Sequence, residues 1–114
     1  MSRKSLLIVE DDIDIRESLR EVFEDQGYHV WCASNGREGL EALRHARPSV
    51  VLLDLIMPLM NGNEMYAEMQ ANPALASIPV IISTSDPSRA PSGVVVIRKP
   101  VEIGRLVSAI AALG

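Results

Sequence analysis

A single cysteine, Cys32, leaves no partner for an internal disulfide and fits a reducing compartment. No apolar run is long enough to cross a bilayer, because proline, glycine and polar residues break each one. Only Leu6 to Val9 separate the N-terminal segment from Glu10, too few apolar residues for a signal-peptide core. The expectation is a cytoplasmic protein with no membrane partner. No basic cluster is present and the formal net charge is −4, which argues against direct nucleic-acid binding. His29 and His45 have no Cys or acidic neighbours at zinc spacing, Gly36 and Gly39 form no phosphate-cradling glycine loop after a strand, and no Ser–His–Asp set is evident. Internal repeats and low-complexity segments are absent too. What remains, at 47% hydrophobic and 23% charged over 114 residues, is an ordinary globular composition that fills one core. The reading is a single domain over 1–114.

Strand-like and helix-like segments alternate along it. Residues 5–9 read as a buried strand, followed by Glu10-Asp11-Asp12. Ile15, Leu19, Val22 and Phe23 recur at helical spacing, with Arg16, Glu17, Arg20 and Glu21 opposite, and Gly27 stops that helix. Residues 28–33 read as a second strand, Asn35-Gly36 as a turn, and Leu40, Leu43 and Ala46 as the apolar face of a helix that Pro48 ends. The Val- and Leu-rich stretch 50–54 reads as a strand buried on both faces, closing on Asp54 before Pro58 and Asn61-Gly62 break the chain. Asn61 caps a third helix through Met65 and Met69, ending near Pro73. Met57, Met60, Met65 and Met69 are read as core packing and loop anchors. Residues 78–83 and 94–98 read as further strands, and 101–113 as a last helix around Ile103, Leu106, Val107, Ile110 and Leu113. This alternation implies an α/β fold with a parallel sheet and right-handed crossovers.

One crossover is too short for the pattern. Only Ser85 to Gly93 separate Thr84 from Val94, and they include Pro87 and Pro91. A parallel crossover normally needs a dozen or more residues, and two prolines disfavour a helix. The fourth helix is expected to be a turn or two at most.

In a parallel sheet all strand C-termini meet one edge, where open α/β folds place their sites. That edge collects Glu10, Asp11, Asp54, Thr84 and Lys99. Each has a plainer reading by itself. Asp11 or Asp12 suits a helix N-cap, a role kept for Asp12. Asp54 suits a turn, Thr84 a strand, and Lys99 a solvated surface. Four strand ends supplying complementary groups is a different matter. Converging carboxylates need a cation among them, and an all-oxygen ligand set suits Mg²⁺. A carboxylate nucleophile, a metal, a lysine and a hydroxyl are the parts of phosphoryl transfer.

These residues resemble the receiver domain of two-component response regulators, the chemotaxis-regulator-like fold. The matching pieces are Leu6–Asp12 with Arg16, Leu52–Pro58 through Gly62, Pro79–Thr84, and Lys99-Pro100. The resemblance implies a doubly wound, flavodoxin-like five-stranded parallel sheet of order 2-1-3-4-5. It makes Asp54 the phospho-acceptor, Asp11 and Glu10 metal ligands together with Asp54 and the backbone carbonyl of Ile56, Thr84 the switch hydroxyl and Lys99 the cation on the phosphoryl group. The cofactor is then Mg²⁺. The partners are a sensor histidine kinase or phosphotransfer protein, an unidentified output protein, and in one arrangement a second copy as a homodimer. Such a chain is a phospho-acceptor and no enzyme beyond its own phosphorylation and dephosphorylation.

Two positions and one element depart from the family pattern. Val96 stands where an aromatic is common three residues before the lysine, Ser85 follows Thr84 in place of Ala, and the fourth helix is short or missing. A bare apolar surface beside the fourth and fifth strands is expected, as a self-association or partner site. Ile56 offers no polar group to hold an attacking water, so slow self-dephosphorylation is expected. The alternatives are a receiver-like adaptor that works without phosphorylation, and a haloacid-dehalogenase-like phosphatase, which would carry a second acid where Ile56 stands.

Overall fold

A computed structural model describes residues 4–113. Five strands, β1 (Ser5–Val9), β2 (His29–Ala33), β3 (Val50–Asp54), β4 (Val80–Thr84) and β5 (Val95–Arg98), form one sheet of order β2-β1-β3-β4-β5 with every neighbouring pair parallel. Helices α1 (Ile13–Asp25), α2 (Gly36–His45), α3 (Gly62–Ala71) and α4 (Ile103–Leu113) cover its two faces. All five residues of β1, β3 and β4 are buried, as strands sandwiched between helix layers must be.

Alternate residues of these strands feed two cores. Leu7, Val9, Val51, Leu53 and Ile82 pack with Leu43 of α2 and with Met65 and Met69 of α3. Leu6, Ile8, Leu52 and Ile81 pack with Leu19 and Phe23 of α1 and with Leu106 and Ile110 of α4. The methionines at 65 and 69 are fully buried, as packing residues should be.

Local chemistry explains where the expected boundaries moved. Asn35-Gly36 is no free-standing turn: Asn35 is the N-cap of α2, its side chain accepting from Glu38 N, and Gly36 opens the helix. The strand expected over 78–83 starts at Val80, because Pro79 has no N–H and contributes only a carbonyl, taken by Val51 N at 2.9 Å. The strand expected over 28–33 starts one residue later, with Tyr28 turned into the α1 and α4 core. Gly27, at φ +91°, ends α1 in the left-handed conformation. Asn61 caps α3 with Glu64 reciprocating, and α3 ends at Ala71, short of Pro73. Ile15, expected on the core face of α1, is 42% exposed; the face that packs is Leu19 and Phe23.

Between β4 and β5 there is only one 3-10 turn, Pro87–Arg89, in place of a helix. The bare surface expected there is covered only in part by the crossover, whose Ala90 and Val94 pack on the core half-buried. Of β4 and β5, Val95 alone is a strongly exposed large hydrophobic, at 44%. Leu113, at the end of α4, is 38% exposed and lines a pocket with Val95. The other five, Ile13, Ile15, Ile56, Leu59 and Ile103, lie at the opposite end, on the loops and first helical turns around the strand C-termini.

Candidate phosphoryl-transfer site

Sheet order, not sequence proximity, assembles the acids. β1 and β3 are paired neighbours, so their C-terminal ends bring Glu10 and Asp11 beside Asp54. One carboxylate oxygen from each of the three lies within 4.8 Å of the others. Glu10 and Asp54 are buried, at 4% and 5% exposure, whereas Asp11 faces solvent. Lys99, the first residue after β5, reaches across this end of the sheet, placing Nζ 3.2 Å from Glu10 Oε2 and 3.2 Å from Asp54 Oδ1.

Backbone contacts fix these groups. Asp12 N donates to Glu10 Oε1 at 3.2 Å, while the Asp12 side chain caps α1 through Asp14 N and Ile15 N, as expected. Lys99 N donates to Thr84 O at 2.8 Å, continuing the β4–β5 ladder past the strand end. The Lys99–Pro100 peptide is cis. The loop after Asp54 returns on itself, with Gly62 N donating to Leu55 O at 2.9 Å. Gly62 is required there: a Cβ at this position would clash with the Asp54 carbonyl oxygen and lie 2.8 Å from Leu55 Cα.

The electrostatics follow from burial. Glu10 and Asp54 are both pushed above the usual carboxylate range. For Glu10 the main cause is loss of water, with the Asp54 charge adding to it. For Asp54 burial again leads, and Lys99 and the Ile56 amide pull back without cancelling it. Burial pulls Lys99 down, but Asp54 and Glu10 together outweigh it and leave Lys99 raised. Two buried acids therefore share one ammonium, and the cluster is short of positive charge. A donor set of three carboxylates, with an exposed member open to water, fits a hard divalent cation such as Mg²⁺.

Of the residues singled out in sequence, Glu10, Asp11, Asp54 and Lys99 come together. Thr84 is adjacent and buried at 1% exposure, but its hydroxyl is engaged elsewhere: it accepts from Asp86 N at 3.1 Å, in the crossover. Ile56 sets its amide against Asp54 and leaves its side chain 55% exposed. Two contacts go beyond what the sequence reading assigns to their residues, although Arg16 is among the pieces matching the family motif. Arg16, read as part of the polar face of α1, donates from Nη1 to Glu10 O at 2.9 Å. Asn63 donates from Nδ2 to Arg89 O at 3.0 Å, tying the 3-10 turn to the start of α3.

A family profile described as the response regulator receiver domain matches residues 6–111. The chain is 39% identical over 80 residues to a probable transcriptional regulator, ycf29, of Pyropia yezoensis, covering 70% of this chain and 36% of that protein. It spans only 36%, 38% and 34% of the length of three such curated relatives. Among solved structures it is similar to the signal receiver domain of a signal transduction histidine kinase from Syntrophus aciditrophicus. That likeness has a TM-score of 0.88 and 32% identity, over 96% of this chain and 89% of the other. It is also similar to the response regulator protein TrrA of Thermotoga maritima, solved in complex with Mg²⁺ and BeF, at a TM-score of 0.86 and 25% identity, over 97% and 99% of the two chains.

Proposed function

The chain belongs to the family of response regulator receiver domains, and from that premise we propose that Asp54 accepts a phosphoryl group from a phosphohistidine on a partner kinase or phosphotransfer protein. The observation that carries this reading is the cluster itself. A carboxylate at a strand end lies within 4.8 Å of two further acids, with one lysine Nζ 3.2 Å from its oxygen.

In the transfer a carboxylate oxygen of Asp54 forms the new bond to phosphorus, and the P–N bond to the donor imidazole breaks, its electron pair leaving on the ring nitrogen. Lys99 neutralises charge on the phosphoryl oxygens. Glu10, Asp11, Asp54 and the Ile56 carbonyl would hold Mg²⁺, which supplies Lewis-acid neutralisation of the same oxygens. Thr84 releases Asp86 N and turns its hydroxyl to the acyl phosphate. That group brings about −1.5 to −2 charge and new acceptor oxygens, and the crossover from Asp86 to Arg89 changes its packing. The exposed rim of Ile13, Ile15, Ile56, Leu59 and Ile103 around the acids suits a partner that must press a histidine onto a recessed carboxylate.

The second reading is an adaptor that binds partners without phosphorylation. It is favoured by the replacement of a helix by one 3-10 turn. Intact-mass measurement after incubation with Mg²⁺ and acetyl phosphate, beside Asp54→Asn, separates the two. A phosphoryl adduct that needs Asp54 supports the acceptor, no adduct supports the adaptor, and donor hydrolysis without an adduct points to a phosphatase.

A further inference from the structure

The Arg16 side chain runs back along α1, against the direction of the chain, and ends on Glu10, the first residue after β1. Its backbone N donates to Asp12 O in the first helical turn, while Nη1 donates to the carbonyl oxygen of Glu10 at 2.9 Å, six residues upstream. That carbonyl belongs to the peptide joining Glu10 to Asp11. On its other side Glu10 is pinned to β2, its N–H donating to Ala33 O at 3.0 Å. The Glu10 side chain is fixed as well, by Asp12 N at 3.2 Å and Lys99 Nζ at 3.2 Å. Asp11 has a different situation. It is the exposed member of the cluster and stands outside the Lys99 clamp that holds Glu10 and Asp54.

A carboxylate on a third element lies in the field of the guanidinium without bonding to it. Glu38, at the start of α2, has its Oε1 bound by Ser34 N at 2.9 Å and Ser34 Oγ at 2.7 Å. Those two bonds hold the Glu38 carboxyl below its usual range, and the nearby Arg16 charge lowers it further. Among the described residues, the one hydrogen bond made by the Arg16 guanidinium is therefore to the last carbonyl before Asp11.

We propose that Arg16 is a positioning residue for the divalent-cation site: by holding the Glu10 carbonyl it fixes the peptide plane that aims Asp11 at Asp54. This rests on the acid cluster being a cation site. Partners that orient a ligand in this way typically change metal affinity by about 10–100-fold when removed, without touching the ion.

The test is calorimetric titration of Mg²⁺, with Mn²⁺ as a tighter-binding second probe, into wild type, Arg16→Ala, Arg16→Lys and Arg20→Ala, with metal-free thermal unfolding of each. Arg16→Ala is expected to weaken binding by about tenfold, and Arg16→Lys to recover part of the loss. Arg20→Ala, one turn along the helix and paired with Glu17, should match wild type. A lower metal-free Tm with unchanged affinity in Arg16→Ala would make Arg16 merely structural and overturn the proposal, as would an equal loss in Arg20→Ala. If Arg16→Ala does not fold, Arg16→Gln, too short to reach Glu10 O, is read in the same way. Absence of Mg²⁺ and Mn²⁺ binding by wild type would instead sink the cation site itself.

Discussion

Lys99 Nζ lies 3.2 Å from Asp54 Oδ1, and this ion pair joins the first residue after β5 to the last residue of β3 across the width of β4. The same nitrogen serves Glu10, so one cation offsets two acids that burial has already pushed toward their neutral forms.

Replacing that cation should therefore cost stability. Lys99→Met leaves two buried acids facing each other, and we expect a loss of about 1–3 kcal/mol at neutral pH, less than for a fully buried pair because the Lys99 side chain is 26% exposed. The loss should shrink on acidification as the acids take up protons. Urea unfolding of Lys99→Met, with and without Asp54→Asn, checks it; a loss that Asp54→Asn does not reduce would mean that Lys99 acts through other contacts.

The pH dependence has a definite sign. Glu10 and Asp54 bind protons more tightly in the folded state than in the unfolded chain. Their contribution to stability therefore falls as pH rises from the ordinary carboxylate pKa through the raised folded values. Lys99 is raised too, so its stabilisation is complete below its unfolded pKa and is lost as pH climbs through the folded one. Asp54→Asn should gain stability over wild type progressively through the first window. A difference between the two proteins that stays flat with pH would count against the buried-acid account.

Gly62 tests the geometry under Asp54. Gly62→Ala would force its Cβ against the Asp54 carbonyl oxygen and Leu55 Cα. Because the obstruction is backbone, relief requires moving the β3 end, at about 1–3 kcal/mol. We expect a lower Tm together with reduced phosphorylation by acetyl phosphate, whereas a wild-type Tm would show that the loop gives way freely.

Signal lifetime should be set in part by Ile56. Its side chain is 55% exposed and apolar, with nothing to orient a water toward an acyl phosphate on Asp54. Ile56→Asn is expected to shorten the lifetime on the order of tenfold by orienting that water. Decay of the phosphorylated protein, followed by intact mass, measures it, and equal rates would remove Ile56 from the account.

Much of this molecule was legible before its structure. The apolar runs 5–9 and 50–54 became β1 and β3 with those bounds, since a strand buried on both faces has a continuous, unambiguous signal. The nine-residue interval with two prolines was too short for a helix, and it folds as the one turn Pro87–Arg89. Ile15 misled because helical spacing names a stripe, and only packing decides which end of the stripe is covered; Leu19 and Phe23 join the core shared with Leu106 and Ile110 of α4, and Ile15 is left exposed. The surface beside β4 and β5 was expected to be bare and is so only in part, as nothing local told that Ala90 and Val94 fold back onto the core while Val95 and Leu113 stay exposed.

The sequence by itself determined the strands, the helices and the acid or cation at each strand end, because propensity, periodicity and residue type are local properties. It also carried the family, through motifs spread along nearly the whole chain. Only the tertiary structure decided distances and charge states. Lys99 meets Glu10 across 89 residues of sequence because β3 and β4 separate their strands by a fixed spacing. Burial raises the two acids, Thr84 spends its hydroxyl on Asp86, and Arg16 turns from a polar helix face to the Glu10 carbonyl. These depend on which atoms surround a group, and that environment exists only once the sheet has closed around the site.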